Sequence, residues 1–298
     1  LLSVTYTQSL PIWWLKNFAD ITKLRLSISV VFSSVAGYLL GATEVDFMIL
    51  LFLCIGGYCM VGASNVYNQI MERDLDILMD RTRKRPIPAG TMSVLVAFLI
   101  AILLTLIGIT ILYTINPQTA MFGAISIFIY VFLYTPLKTR TPLSVFVGAF
   151  PGAIPFMLGW VAATNNFGIE PGTLFMIQFF WQFPHFWAIG WFLFDDYKKG
   201  GFFMLPTGKR DQATAMQVVF YSVCTVLSSL IPALGVTGTF YITPVTAIII
   251  SGLGIWFVYY GLRLYTQKTD KSAKALMLVS VSYITLLQII YVADKLIR

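Results

Sequence analysis

Charge is scarce in this sequence. Only 11% of its 298 residues are Asp, Glu, Lys or Arg, while 58% are hydrophobic and 15% aromatic. Soluble globular domains carry about 25% charged residues, so a chain bathed in water on all sides is excluded. Histidine is scarcer still. The one residue, His185, excludes a cytochrome site with two histidines on one iron. The three cysteines, Cys54, Cys59 and Cys224, form no C-x-x-C pair and no haem-attachment motif, which excludes the common cysteine-based metal and haem sites. They read as small buried hydrophobes. No Ser/Gly linker or low-complexity tract divides the chain, so residues 1–298 read as one domain.

What is present is long apolar runs. A helix needs about 20 mostly apolar residues to cross the hydrocarbon core of a membrane. Nine such runs occur, near 24–42, 47–69, 93–114, 118–135, 142–163, 172–194, 214–237, 241–264 and 275–294. The fold class read from them is an all-α integral membrane protein with nine transmembrane helices in a bundle. The stretch "TQSLPIWWLKNFADITK" ahead of the first run has no small-residue cleavage site, so that run reads as a span rather than a signal peptide. With no Met at its start, the chain reads as trimmed. All of the 20 Lys and Arg except Lys295 and Arg298 lie at or before the start of the first span, or in the loops after spans 2, 4, 6 and 8. That asymmetry places the N-terminus and the even-numbered loops in the cytoplasm and the C-terminus outside. It also accounts for the net charge of +7 without nucleic acid. The two long charged loops stand four helices apart. They suggest a four-helix pseudo-repeat, helices 1–4 and 5–8, with helix 9 added. Gly37-x-x-x-Gly41 and Gly148-x-x-x-Gly152 offer close helix contacts, and Pro151 and Pro155 predict a kink in span 5.

The few acids are not scattered. Four of the 13, Glu72, Asp74, Asp76 and Asp80, fall within "NQIMERDLDILMD", residues 68–80. If the second helix continues through this stretch, positions four apart return to within about 40° of one another and rise about 6 Å. Asn68, Glu72 and Asp76 then form one stripe of oxygen donors, Asp80 extends it, and Asp74 faces elsewhere. Mg²⁺ takes one or two protein carboxylates and completes its shell with water and substrate phosphates, which suits such a stripe. "RTRKRPIPAG" follows. Arg81, Arg83, Lys84 and Arg85 match phosphate oxygens, although the positive-inside rule alone also accounts for a basic loop here. It does not account for acids stacked on one face.

Span 6 repeats the pattern. "FFWQFPHFWAIGWFLFDDYKKGGFFMLP" leaves the membrane at Asp195, Asp196 and Tyr197, followed by Lys198 and Lys199. Two acidic groups at one membrane depth suit two metal ions flanking a diphosphate. His185 lies about two and a half turns deeper, beside Gln182 and between Trp181 and Trp187. Ionisable residues inside spans are rare and usually functional. This one can ligate a haem iron or hydrogen-bond a substrate, and both remain open. Most of the aromatics read as interfacial belts. Those near Phe179–Trp191 can line a cavity for a carbocation.

With these residues in view, "NQIMERDLD" resembles the N-D-x-x-D-x-x-x-D motif of the UbiA-type intramembrane prenyltransferases. "YTPLKTRTPLSVFVGAFPGAIPFMLGW" and "QFPHFWAIGWFLFDDYKKGGFFMLP" are similar to the haem O synthase branch, the protohaem IX farnesyltransferases. Gln69 and Glu72 stand where many relatives have Asp. The resemblance implies a bundle around a central cavity and Mg²⁺-dependent ionisation of farnesyl diphosphate, with two ions. It implies haem as substrate, not prosthetic group, and haem O as product. Asn68, Glu72 and Asp76 would hold one metal and Asp196, with Asp195, the second. Arg81, Arg85, Lys138, Lys198 and Lys199 would bind the diphosphate, with Tyr134 and Tyr197 nearby, and His185 would face protohaem IX. The expected setting is lipid, in a prokaryotic plasma membrane. Competing readings are an intramembrane prenyltransferase acting on an aromatic quinone precursor, a secondary transporter, and a non-catalytic haem-handling subunit.

Overall fold

The structure, a computed structural model, describes residues 10–298; the first residues of the stretch ahead of span 1 lie outside it. Every regular element of the described chain is a helix. A short α1 (Leu10–Ile21) precedes α2 (Leu24–Gly41) and α3 (Phe47–Met71). The one-turn α4 (Arg73–Asp76) opens a long turn-rich loop that ends at α5 (Val94–Ile115). α6 (Pro117–Phe128) runs through a π-helical stretch, Ile129–Tyr134, into α7 (Thr135–Leu137). α8 (Ser144–Thr164), α9 (Ile169–Phe192) and α10 (Phe194–Lys199) follow, then α11 (Gln212–Leu230), α12 (Pro244–Gln267) and α13 (Asp270–Ile297).

Helix starts follow from polar caps just outside the apolar runs. Asp46 accepts from the amides of Met48 and Ile49 ahead of α3, Ser93 from Val96, and Asn116 from Thr119 with Pro117 next in line. Each cap satisfies amides that have no partner within the helix. Thr269 and Ser272 form a reciprocal capping box at the start of α13.

Among the described residues, eight helices are long and apolar enough to cross a membrane. The sequence led to nine. The remaining long helix is α9, which has 24 residues but carries Glu170, Gln178, Gln182 and His185, so its polar content sets it apart from the other eight.

α8 lies at the heart of the packing, against α2 and α9. Gly37 and Gly159 make the α2–α8 crossing possible. A Cβ on Gly37 would lie 2.0 Å from the Phe156 carbonyl oxygen, and one on Gly159 1.9 Å from that of Ser34. Pro151 and Pro155 both sit within the continuous α8. Pro155 has no N–H to give the carbonyl four residues back. Ser126 Oγ donates to that carbonyl, on Pro151, at 3.3 Å, so the oxygen is not left bare in an apolar layer.

The continuous helix expected over residues 68–80 is broken. α3 ends at Met71, and Glu72 takes φ −94°, ψ 3° before α4 begins. The break aims Glu72 and Asp76 at basic partners from other parts of the chain and releases Asp80 outward.

Candidate active site

The loop end of α3 brings acids and bases together out of water. Glu72 and Asp76 are 4% and 0% exposed. Lys138 Nζ, just past α7, donates to Glu72 Oε1 at 2.7 Å. One guanidinium nitrogen of Arg85 donates to both Asp76 oxygens, at 2.7 and 2.9 Å. Asn68 Nδ2 donates to Thr135 Oγ1 at 3.3 Å. Burial pushes the Asp76 carboxyl above the usual carboxylate range even against the Arg85 pair. Burial is the largest influence on Lys138 and draws it down, yet the Glu72 carboxylate and its hydrogen bond, together with Tyr130 and Tyr197, hold it above the ordinary lysine value. A buried pair of this kind is costly to break, because either member alone is an uncompensated charge.

These groups open onto a cavity of about 740 Å³. The cavity runs from Glu72, Asp76, Arg85 and Lys138 down to amides in the middle of the long helices. The π-helical stretch shapes one wall. Its wide turn places Tyr130 and Tyr134 on the cavity, with ring centroids 5.1 Å apart, and the Lys138 ammonium lies 4.6 Å from the Tyr134 ring centre. Thr135 Oγ1 donates to the Tyr130 carbonyl at 2.9 Å, tying the stretch shut. Gly148 leaves room for the Tyr134 ring, which a Cβ would meet at 2.6 Å. The deep wall is an amide layer. Gln288 Nε2 on α13 donates to Gln178 Oε1 on α9 at 3.3 Å and to Ser33 Oγ on α2 at 3.1 Å. Gln182 Nε2 donates to the Ala149 carbonyl at 2.8 Å. His185 and Trp181 also line the cavity.

The residues singled out in the sequence divide into two sets. Asn68, Glu72, Asp76, Arg81, Arg85, Tyr134, Lys138, His185 and Tyr197 share the cavity wall. Asp195, Asp196, Lys198 and Lys199 do not. α10 turns Tyr197 inward and its other polar residues away. Asp195 is exposed and paired with Arg210 at 2.9 Å, and Lys198 is exposed. Asp196 accepts from the Asp80 and Arg81 amides at 2.8 and 3.3 Å, and Lys199 bonds Asp80. This side of the site therefore anchors the Asp80–Arg81 loop, from which Arg81 Nη2 donates to the Tyr197 hydroxyl at 3.4 Å.

Lys23 and Arg25 also line the cavity; at the start of span 1 the sequence reads both as topology signals. The sequence reading misses Gln178 and Gln288. Polar amides in the middle of apolar runs were the available signal.

Among the described residues no three His, Cys, Asp or Glu side chains converge as a metal cage. The donors that do share the wall, Asn68, Glu72 and Asp76, offer only hard oxygen. They fit Mg²⁺ held jointly with a phosphorylated substrate, which needs few protein ligands.

A buried array of acids and bases at the mouth of a deep aromatic and amide-lined cavity, inside an all-helical apolar bundle, defines a membrane enzyme handling a polyanion with an apolar body. The family model of the UbiA prenyltransferase family matches residues 30–286, and the chain belongs to that family, as an integral membrane prenyltransferase. It is 70% identical to a protoheme IX farnesyltransferase of Christiangramia forsetii over 95% of both chains. Among solved structures it resembles a digeranylgeranylglyceryl phosphate synthase, with a TM-score of 0.79 and 18% identity, covering 95% of this chain and 99% of the other. It also resembles a UbiA homolog from Archaeoglobus fulgidus bound to DMAPP and Mg²⁺, with a TM-score of 0.67 and 14% identity, covering 93% and 99%.

Proposed function

We propose that this enzyme transfers the farnesyl group of farnesyl diphosphate to a vinyl group of protohaem IX, and that water completes the addition to give haem O. The observation that carries the acceptor is the 70% identity, over 95% of both chains, to a protoheme IX farnesyltransferase. The cavity supports the same reading, since it joins the charged mouth to His185 in one space. All nine long helices cross the membrane in this reading, with the charged mouth on the cytoplasmic side.

The reaction begins when the C1–O bond of farnesyl diphosphate breaks and the diphosphate leaves with the bonding electrons. Arg81, Arg85 and Lys138 line the mouth where that charge would develop, and cations already held in place stabilise such charge without having to reorganise during the reaction. Lys23 adds a fourth cation. Asn68, Glu72 and Asp76, the oxygen donors on the cavity wall, would hold Mg²⁺, which supplies neutralisation of the leaving group's charge; Asp196, engaged by the Asp80 and Arg81 amides, would hold the loop beside them. Because Glu72 and Asp76 are each paired with a base, substrate binding exchanges carboxylate–base contacts for phosphate–base contacts. Tyr130 and Tyr134 line the same wall, and aromatic rings there would stabilise the allylic cation. The vinyl π-electrons then form the new carbon–carbon bond to C1. Water adds to the cation left on the porphyrin side and releases one proton.

The test is mass spectrometry on purified protein in lipid with protohaem, farnesyl diphosphate and Mg²⁺, alongside samples without the metal and with Asp76→Ala. A metal-dependent product heavier than protohaem by one farnesyl group plus water is expected from the wild type, and none from Asp76→Ala. Prenylation of a hydroxybenzoate or naphthoate in place of haem would overturn the acceptor. Full activity of Asp76→Ala would overturn the metal site.

A further inference from the structure

His185 has one ring nitrogen committed and the other unused. Its Nδ1 lies 2.8 Å from Ser280 Oγ on α13. Which atom carries the proton follows from a second contact. Ser280 Oγ is 2.6 Å from the Met277 carbonyl oxygen. Two oxygens approach that closely only across a proton, and the carbonyl has none, so the single hydroxyl proton of Ser280 is directed to Met277. Toward His185 the serine oxygen can then only accept. Nδ1 therefore carries the imidazole proton, and in the neutral ring Nε2 is left with a lone pair. No partner for Nε2 occurs among the described residues, and the ring lines the cavity.

The plane of the ring is fixed as well. Trp181 stacks on His185 with centroids 4.7 Å apart and planes 19° apart. Trp181 Nε1 in turn donates to the backbone carbonyl of Ser280 at 2.6 Å. Ser280 thus holds the imidazole by its hydroxyl and the stacking indole by its carbonyl. Two contacts, one to the imidazole and one to the indole stacked on it, converge on one residue of a different helix. Metal-bound histidines carry the same arrangement: the distal N–H is given to a fixed acceptor, which sets the tautomer and the ring orientation.

We propose that Ser280 is a positioning residue that sets the tautomer and plane of His185 so that Nε2 ligates the iron of the bound haem. This rests on the haem reading above. The chain has a single histidine, so the protein offers iron one imidazole and no second. One axial bond orients the porphyrin against the charged mouth while leaving the product free to depart.

The experiment uses the full chain in lipid nanodiscs with haem added, followed by absorption and resonance Raman spectroscopy, haem titration and farnesyl diphosphate binding. Wild type is expected to show a five-coordinate ferrous haem with an Fe–imidazole stretch. His185→Ala should lose that stretch, and added imidazole should restore it. Ser280→Ala should keep farnesyl diphosphate binding, shift the stretch to lower frequency and weaken haem binding about 10–100-fold. Ser280→Thr, which keeps the hydroxyl, should return both toward wild type. The inference falls if His185→Ala binds haem with the wild-type spectrum, or if Ser280→Ala leaves both stretch and affinity unchanged. It also falls if wild-type haem lacks a nitrogen ligand, while the haem reading stands. If wild type binds farnesyl diphosphate but not haem at all, the acceptor reading falls with it.

Discussion

Lys23 holds a backbone conformation that lysine rarely takes. It stands between α1 and α2 at φ 50°, ψ 55°, in the left-handed region, at a cost of about 1–2 kcal/mol for a side chain with a Cβ. The strain delivers an ammonium to the cavity wall, where cations already gather. Burial first, then Arg85 and Lys138, push its pKa well below the ordinary lysine value. In the empty site the neutral amine is therefore favoured more than in water, and a bound diphosphate restores the proton. The sign follows from linkage. Below the empty-site pKa, Lys23 is charged in both states and contributes no pH dependence. As pH rises through that value, binding must take up a proton, so farnesyl diphosphate affinity falls, by at most about tenfold per pH unit. Calorimetry across pH should find this fall in the wild type and not in Lys23→Arg, whose guanidinium stays charged. Equal slopes in the two proteins would mean that the dependence belongs to the substrate alone.

At the scale of elements, the site depends on irregularities that packing makes affordable. The π-helical stretch after α6 turns two tyrosines onto one wall, and such bulges recur at functional sites. The break at Glu72 lets two carboxylates meet two separate bases. Both need a rigid frame, and α8 against α2 supplies it. At Gly159 an added Cβ would meet the Ser34 carbonyl oxygen at 1.9 Å and the Tyr38 amide nitrogen at 2.5 Å. Both are backbone atoms and cannot rotate away, so α2 must move. Gly159→Ala is expected to destabilise the protein by about 1–3 kcal/mol, read as a lower unfolding midpoint in mild detergent. An unchanged midpoint would mean that the α2–α8 crossing carries little of the stability.

Across the whole molecule, function requires that one end of the bundle hold charge and the middle hold polarity without water. The basic residues other than Lys295 and Arg298 are gathered at the end where Glu72, Asp76 and Asp196 lie, and the amide layer and His185 lie deeper along the helices. If that end faces the cytoplasm, a cysteine at exposed Arg140, after α7, and one at exposed Asn166, after α8, lie on opposite sides of the membrane. A membrane-impermeant maleimide should label Asn166→Cys in intact cells and Arg140→Cys only in inverted vesicles, above the background of Cys54, Cys59 and Cys224. The reverse pattern would invert the topology and place the diphosphate site on the far side.

The sequence by itself determined the long apolar helices, because apolar length and flanking caps are local properties. It also determined the composition of the mouth, because Asn68, Glu72, Asp76, Arg81 and Arg85 follow one another along 18 residues. Lys138 and His185 stood out as well, one as a base between spans, the other as a histidine inside one. Only the tertiary structure decided which of these share a wall. Whether α10 turns Asp195, Lys198 and Lys199 inward or outward is settled by the packing of Tyr197 and by the bond from Asp196 to the Asp80–Arg81 loop, partners more than 100 residues away. In the sequence Lys23 reads as a topology signal; the fold places it on one cavity wall with Arg85 and Lys138, and a lysine's desolvation is a property of such neighbours. Ser280 carried no signal at all. A serine in an apolar helix becomes a positioning residue only when another helix brings a histidine to within hydrogen-bonding distance of it.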